Sequence, residues 1–379
     1  MIEHRSLSDL TTLRLGGPPA TLVVAEDQDA LIEASTAAQD EGAPLLVVGG
    51  GSNLVVADDG FPGTVLVVDV GGVARACQSD GRVLLDVAAG EVWDDLVDAC
   101  VVDGLAGIEA LAGIPGTVGA TPIQNVGAYG QQVAETIVGI RAYDSRTRKI
   151  VSLSSGDCGF AYRESVFQAD PGRFLILGVR FMLWQARTSG PLGSPEVLDC
   201  LGLRAGATAP IAEVRDAVIG LRAAKGMVLD ANDHDTWSVG SFFKNPVLAP
   251  GRFAQLCEVV AERHGLDNEM PYRVQLGGRV KVAAAWLIEN AGFPKGYPLT
   301  ENPEAGISLS TKHVMALTNR GEGTTRELLG LAQEITDGVH RVYGISMIPE
   351  PVLVGVGSGE EGPLVTTDSR TKASLVRQH

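Results

Sequence analysis

The sequence predicts an α+β protein of two or three domains. A chain of 379 residues is too long for one compact core. Its periodicity changes along the chain, from strand–helix–strand, through a β-rich middle, to a last third in which helices and strands are mixed. We expect segments 1–72, 73–228 and 229–357, with an irregular insertion near 186–208. Residues 358–379 show no periodicity and are predicted to be disordered.

Each predicted element follows from a local pattern. Short apolar runs rich in Val, Leu and Ile predict strands at 21–25, 44–49, 65–70, 83–90 and 173–184, and a hairpin at 137–153. Helical spacing of apolar residues predicts helices at 27–40, 91–105, 210–224, 250–264, 280–291 and 324–344. Further short strands are predicted at 305–310 and 313–319, and a closing strand at 351–357.

Composition and charge exclude several classes of protein. The net charge of −16 disfavours nucleic acid and anionic membranes as partners. No apolar run approaches the roughly 18 residues of a membrane helix, and the N-terminus has no signal-peptide pattern, so a cytoplasmic protein is expected. The five Cys and six His are scattered, which predicts reduced thiols and no metal site.

Two glycine-rich stretches point to an anionic ligand. The first, GGGSN at 49–53, directly follows a strand and can aim backbone N–H groups at an anion. Leu54 breaks the dinucleotide fingerprint G-x-G-x-x-G, and no Gly-Lys-Ser/Thr of a P-loop follows. Alone, the stretch could be an ordinary hairpin loop. The second, at 107–130, is long, glycine-dense and mostly apolar. Together they favour a flavin or nucleotide, and FAD fits both features.

Five motifs in order carry a family resemblance. They are GGGSN, GIPGTVGATPIQNVGAYG, AYRES, GSFFKNP and a Pro-Glu pair before the last strand. Between Leu13 and Gly357 the chain resembles the longer subtype of the UDP-N-acetylenolpyruvylglucosamine reductases. The resemblance implies a two-lobed FAD-binding domain of the vanillyl-alcohol-oxidase type and a smaller α+β substrate-binding domain. It also implies a monomer with non-covalent FAD, in which NADPH reduces the flavin and N5 passes hydride to the enolpyruvyl double bond.

The resemblance assigns catalysis to Arg163, Ser241 and Glu350. Hydride addition pushes negative charge into the substrate carboxylate, which Arg163 and Glu350 would clamp and polarise. Ser241 would then deliver the proton, and Lys244 could assist it. Each residue also has an ordinary alternative: a surface ion pair for Arg163, a helix cap for Ser241 and a solvent-facing carboxylate for Glu350.

The resemblance also assigns binding residues. Those expected to hold FAD are Gly49, Gly50, Gly51, Ser52, Asn53, Gly113, Ile114, Pro115, Gly116, Thr117, Gly119, Ala120, Gln124, Asn125, Gly127 and Ala128. Those expected to hold the substrate are Tyr129, Lys225, Lys244, Asn245, Tyr272, Lys281 and His313. One feature departs from the longer subtype, which places a Tyr over the substrate near 190–200. This chain has no Tyr between Tyr162 and Tyr272.

Two other functions compete with this one. A flavin oxidase that uses oxygen would carry a covalent flavin anchor, and GGGSN has neither His nor Cys. A non-catalytic protein that kept the flavin fold would have lost at least one of Arg163, Ser241 and Glu350, and the sequence has all three.

Overall fold

The first part of the chain forms a small parallel sheet. The computed structural model describes residues 6–265, 269–298 and 306–356. The tail predicted at 358–379 lies outside these residues. The first elements are β1 (Pro19–Ala25), α1 (Gln28–Glu41), β2 (Leu45–Val48), β3 (Leu54–Val56) and β4 (Phe61–Val68). Strands β1, β4 and β2 pair in that order, all parallel. Helix α1 begins at Asp27, whose carboxylate accepts from the Ala30 N–H.

The middle of the chain is dominated by an antiparallel sheet. Its elements are β5 (Val73–Cys77), β6 (Arg82–Ala88), α2 (Trp93–Val102), β7 (Leu105–Ala106), β8 (Gly127–Ala128), β9 (Gln131–Gln132), β10 (Ile137–Asp144), β11 (Lys149–Ser154), α3 (Val166–Ala169), β12 (Phe174–Gln185), α4 (Pro195–Leu201) and α5 (Ile211–Ala224). Strands pair in the order β11-β10-β12-β6-β5. In β6 every second residue is buried, as its alternating sequence requires. Helix α4 lies within the insertion predicted near 186–208.

The last part mixes helices with two small sheets. Its elements are β13 (Val247–Leu248), α6 (Pro250–His264), β14 (Tyr272–Val274), β15 (Val280–Val282), α7 (Ala284–Asn290), β16 (Ile307–Leu309), β17 (Leu317–Asn319), α8 (Thr325–Tyr343) and β18 (Val352–Val354). The predicted helix at 280–291 is wrong over its first residues, because β15 pairs there with both β13 and β14. Helix α8 is capped by Thr324 and Glu327 and ends at Gly344.

Two packing features bring distant parts of the chain together. One hydrophobic core joins the parallel sheet to the antiparallel sheet, with Leu66 packing in the same cluster as Trp93 and Phe181. The closing strand β18 returns to the start of the chain and pairs parallel with β3. The residues just before β18 therefore lie beside the GGGSN turn that precedes β3. None of the helices formed by the described residues has both the length and the apolar content that a membrane crossing needs.

Candidate active site

A cavity of about 920 Å³ lies where all three predicted segments meet. One wall consists of the two glycine-rich stretches, and the other carries charged and polar side chains from later in the chain. Of the residues predicted to hold FAD, all except Gly113 and Asn125 line this cavity. Arg163, Ser241 and Glu350, which come from three distant stretches of sequence, line it as well.

The glycine wall depends on close contact between two backbones. A Cβ on Gly50 would lie 2.6 Å from the Cα of Gly116, so a larger residue would force the two loops apart. Gly51 has φ 59°, in the left-handed region that glycine tolerates best. The Ser52 hydroxyl donates to the Pro115 carbonyl at 2.8 Å and ties the loops together.

The same wall leaves hydrogen-bond donors for a ligand. Within the described part of the chain, no group accepts a hydrogen bond from the backbone N–H of Gly50, Gly51 or Ser52. A row of such N–H groups in a turn without Cβ atoms is a binding site for phosphate oxygens. Below it the cavity is lined by small and apolar residues, among them Ala120, Ile114 and Val68. The residues present therefore fit a dinucleotide that has a pyrophosphate and a flat ring.

Arg163 and Glu350 form an ion pair inside the cavity. Arg163 Nε lies 2.8 Å from Glu350 Oε1, and the two side chains are 24% and 16% exposed. The Arg163 Nε is buried and makes no hydrogen bond to any described residue, so its N–H does not point at the Glu350 carboxylate oxygen. The pair is therefore close but incompletely satisfied. This geometry is inconsistent with both alternatives, a surface ion pair for Arg163 and a solvent-facing carboxylate for Glu350.

Backbone pairing places Ser241 next to this ion pair. The Glu350 N–H donates to the Phe242 carbonyl at 2.8 Å, and the Lys244 N–H donates to the Ile348 carbonyl at 2.9 Å. Phe242 and Phe243 are fully buried and anchor the loop in the core of the last segment. Ser241 lies in a loop and caps none of the described helices. Its neighbour Gly240, at φ 73°, allows the turn that aims this loop at the cavity.

Burial changes the proton affinities around Glu350. Desolvation raises the pKa of Glu350 above its usual value, while the nearby positive charges of Arg163 and Lys244 partly oppose this shift. Desolvation lowers the pKa of Lys281, and the charges of Arg273 and Arg163 lower it further. The Lys281 ammonium also lies 4.6 Å from the centre of the Tyr162 ring. This end of the cavity therefore holds several cations around one carboxylate.

Three other predicted substrate residues, Lys225, Tyr129 and His313, lie in a second polar region of the cavity. Lys225 Nζ lies 2.6 Å from Glu196 Oε2 and 5.7 Å from the centre of the Tyr129 ring. Burial, with the charges of Lys225 and Lys295, lowers the pKa of His313 to about 4, so this imidazole is neutral at pH 7. Asn245 lines the cavity, and its Oδ1 accepts from the N–H of Ala284, the first residue of α7.

Some cavity residues were not predicted from the sequence. Arg222 lines the cavity and is partly buried, and desolvation lowers its pKa. Its Nη2 donates to the Met227 carbonyl, and its Nε has no acceptor in the described structure. The signal was present, because Arg222 and Lys225 are three residues apart at the end of one amphipathic helix. Ser194, Pro195 and Glu196, at the start of α4, also line the cavity.

Four predicted site residues do not line the cavity. Gly113 belongs to the second glycine-rich stretch, but Ile219 and Arg222 pack against it there. Asn125 is buried in hydrogen bonds to other loops. Lys244 acts on the site through its charge near Glu350. Tyr272 is 58% exposed on β14 and packs on Phe253.

Two family models match separate parts of this chain. Residues 19–154 match the family model described as FAD binding domain. Residues 232–354 match the model described as UDP-N-acetylenolpyruvoylglucosamine reductase, C-terminal domain. The fold class is confirmed, with an FAD-binding domain and a smaller α+β domain, and the protein is an FAD-dependent oxidoreductase.

Similar proteins define the family within that class. UDP-N-acetylenolpyruvoylglucosamine reductase of Streptomyces coelicolor is 51% identical over 94% of this chain and 90% of its own length. The protein of that name from Thermobifida fusca is 49% identical over 92% and 97%. The crystal structure of the Thermus caldophilus enzyme shares the fold, with a TM-score of 0.60 at 23% identity over 93% of this chain and 98% of that one. The chain belongs to the UDP-N-acetylenolpyruvoylglucosamine reductase family.

Proposed function

We propose that this chain reduces the enolpyruvyl group of UDP-N-acetylenolpyruvylglucosamine to give UDP-N-acetylmuramate in peptidoglycan synthesis, with NADPH as the reductant and FAD bound without a covalent link. The observation that carries the proposal is the Arg163–Glu350 ion pair, 2.8 Å apart, in the same cavity as the glycine wall and Ser241. A cation, a carboxylate of raised pKa and a hydroxyl are the groups that this reduction needs.

The two charged residues act on the substrate carboxylate. FAD held by the two glycine-rich stretches would supply hydride from N5 for the vinyl carbon of the substrate. Arg163 holds the substrate carboxylate, which gains negative charge as that bond forms, so its attraction is stronger in the transition state than in the ground state. Desolvation raises the pKa of Glu350, which would favour protonation of this carboxylate when the substrate carboxylate binds beside it.

Ser241 completes the reaction with a proton. The neighbouring carbon of the substrate must be protonated after hydride addition, and the Ser241 hydroxyl lies in the loop joined to Glu350 by backbone hydrogen bonds. Serine is a very weak acid, so it donates only because the carbon acceptor is strongly basic. Lys244 contributes positive charge near Glu350 and Lys281 lies near Arg163, and this positive charge would favour the serine alkoxide that remains.

The Lys225 end of the cavity binds the nucleotide part. Lys225 and Arg222 supply positive charge for a pyrophosphate, and the Tyr129 ring and neutral His313 border the same region. Glu196, from the insertion, forms an ion pair with Lys225. NADPH and the sugar nucleotide would enter the same cavity in turn, since each has a pyrophosphate and a group that must meet the flavin.

We also propose the domain division and the setting of the reaction. Residues 1–72 and 73–228 would hold FAD, residues 229–357 would hold the substrate, and the protein would act as a monomer in the cytoplasm. The shared core of the first two segments supports treating them as one cofactor-binding unit. Size-exclusion chromatography with light scattering would test the monomer directly.

The proposal is tested with the purified protein. We expect flavin absorbance that is released by denaturation, and NADPH oxidation that depends on the enolpyruvyl sugar nucleotide and yields one product molecule per NADPH. A control reaction with the product, UDP-N-acetylmuramate, should consume no NADPH. A yellow protein that oxidises NADPH at the same rate with and without the substrate, passing electrons to oxygen, would contradict the proposal.

A further inference from the structure

The turn that carries Arg163 has a backbone conformation that arginine disfavours. Arg163 has φ 57°, in the left-handed region. The turn is closed by two hydrogen bonds, from the Ala161 N–H to the Glu164 carbonyl at 3.1 Å and from the Glu164 N–H to the Ala161 carbonyl at 3.3 Å. A two-residue turn with a strained residue is held only if the surrounding structure fixes its ends.

Two buried side chains fix those ends against the second glycine-rich stretch. Asn125 Nδ2 donates to the Ala161 carbonyl at 3.0 Å, just before the turn. The Ser165 hydroxyl donates to the Ile123 carbonyl at 2.6 Å, just after it. Asn125 is 3% exposed and Ser165 is 4% exposed, so neither bond competes freely with water.

The same short segment also contacts the other half of the ion pair. Gln124, between Ile123 and Asn125, donates from Nε2 to the Glu350 carbonyl at 3.3 Å. Ile123 and Gln124 line the cavity, whereas Asn125 does not. Three consecutive residues of the glycine wall, Ile123, Gln124 and Asn125, therefore hold the backbone at Glu350 and on both sides of Arg163.

Asn125 is committed to this structural work. Its Nδ2 also donates to Gln132 Oε1 at 3.0 Å, and its Oδ1 accepts from the Ala134 N–H at 3.1 Å. With these bonds both amide N–H groups are used, and none is left to reach a cofactor. The side-chain amide of Asn125 therefore binds groups of the protein itself, and the flavin contact expected of this residue stays a prediction.

We propose that Asn125 and Ser165 are positioning residues for Arg163, which hold its turn at the flavin wall so that the guanidinium meets Glu350 and the substrate carboxylate. The kinetic consequence rests on the proposed function, whereas the structural consequence does not. The best variant is Asn125→Gly, because glycine removes the amide yet accepts the φ of 44° at this position. Gln132→Ala is the matched control, since it removes a partner of Asn125 and keeps the bond to Ala161.

The first test needs no turnover. Hydrogen–deuterium exchange of the flavin-loaded protein is followed by mass spectrometry in peptides that cover residues 160–166. Because the Glu164 amide is protected by the turn, we expect exchange about tenfold faster in Asn125→Gly and in Ser165→Ala, and wild-type exchange in Gln132→Ala. Unchanged exchange in Asn125→Gly, or equal acceleration in Gln132→Ala, would overturn the proposal.

The second test asks whether the effect passes through Arg163. Reoxidation of NADPH-reduced flavin by the substrate should slow by about tenfold to a hundredfold in Asn125→Gly, with the rate of flavin reduction by NADPH within twofold of wild type. In an Arg163→Met background the same substitution should change reoxidation by less than about twofold. Equal losses in both backgrounds would show a general structural role and overturn the proposal. If the wild type itself is not reoxidised by the substrate, the proposed function fails, and the exchange test still decides the role of Asn125.

Discussion

The two walls of the cavity are built in different ways. The glycine wall consists of two continuous stretches of sequence, and its recognition groups are backbone N–H groups and the spaces left by missing Cβ atoms. The opposite wall consists of single side chains from distant stretches, brought together by backbone pairing between Phe242–Lys244 and Ile348–Glu350. A wall made of backbone is sensitive to any added side chain, whereas a wall made of side chains is sensitive to charge. The predictions that follow test this difference.

The largest expected effect among them is on the charged wall. Arg163→Met removes the cation that faces the growing negative charge, so kcat for substrate reduction should fall about 10²- to 10³-fold. Flavin content should not change, because Arg163 is not part of the glycine wall. Arg180→Met is the control. Arg180 lies on β12 and forms a partly exposed ion pair with Asp86 on β6. A loss of flavin in Arg163→Met, or equal kcat in the two variants, would contradict the proposed division of work.

Gly50→Ala tests the backbone wall. The added methyl would lie 2.6 Å from the Gly116 Cα, and overpacking of this kind costs about 1–3 kcal/mol. We expect FAD to bind at least about tenfold more weakly, measured by fluorescence titration of the apoprotein, with nearly normal kcat at saturating FAD. Gly220→Ala, in α5 where an added Cβ meets nothing, should bind FAD normally. Normal binding by Gly50→Ala would mean that the cofactor does not sit between these loops.

The buried imidazole predicts a dependence of stability on pH. The pKa of His313 is about 4 in the folded protein and higher in the unfolded chain, so the unfolded chain binds the proton first as the pH falls. The contribution to stability is therefore complete above about pH 6.5 and is lost progressively toward pH 4. In urea unfolding, His313→Gln should lose less stability than wild type between pH 7 and pH 5. Parallel curves for wild type and His313→Gln would show that His313 is not buried as a neutral ring.

The smallest expected effect concerns the pair at the nucleotide end. Glu196 neutralises Lys225 at 2.6 Å, so an anionic ligand must compete with it. Because the pair is partly exposed, Glu196→Gln should lower KM for the sugar nucleotide by only about two- to fivefold, with kcat unchanged. Asp199→Asn, on the same helix but outside the cavity lining, is the control. A higher KM in Glu196→Gln would mean that Glu196 helps to hold the ligand.

The difference between the walls also explains what the sequence could predict. The glycine stretches are continuous motifs of the family resemblance, so the resemblance could name most of their cavity residues in advance. It also assigned Arg163 and Glu350 to one task, but their contact depends on β18 returning to β3, a pairing that no local pattern encodes. The sequence also did not separate Gln124, which lines the cavity, from Asn125 beside it, because the hydrogen-bond partners of Asn125 lie on other loops. The spacing of Arg222 and Lys225 was visible, but only the fold shows that this helix face lines the cavity.

The most direct test of the central claim is a single turnover of the Ser241→Ala variant. The enzyme is reduced anaerobically with one equivalent of NADPH and then mixed with the enolpyruvyl sugar nucleotide while the flavin absorbance is followed. We predict that NADPH reduces the flavin at the wild-type rate and that reoxidation by the substrate slows about 10²- to 10⁴-fold, because the proton donor is missing. Reoxidation of Ser241→Ala at the wild-type rate would contradict the account, since the loop beside Glu350 would then carry no chemistry.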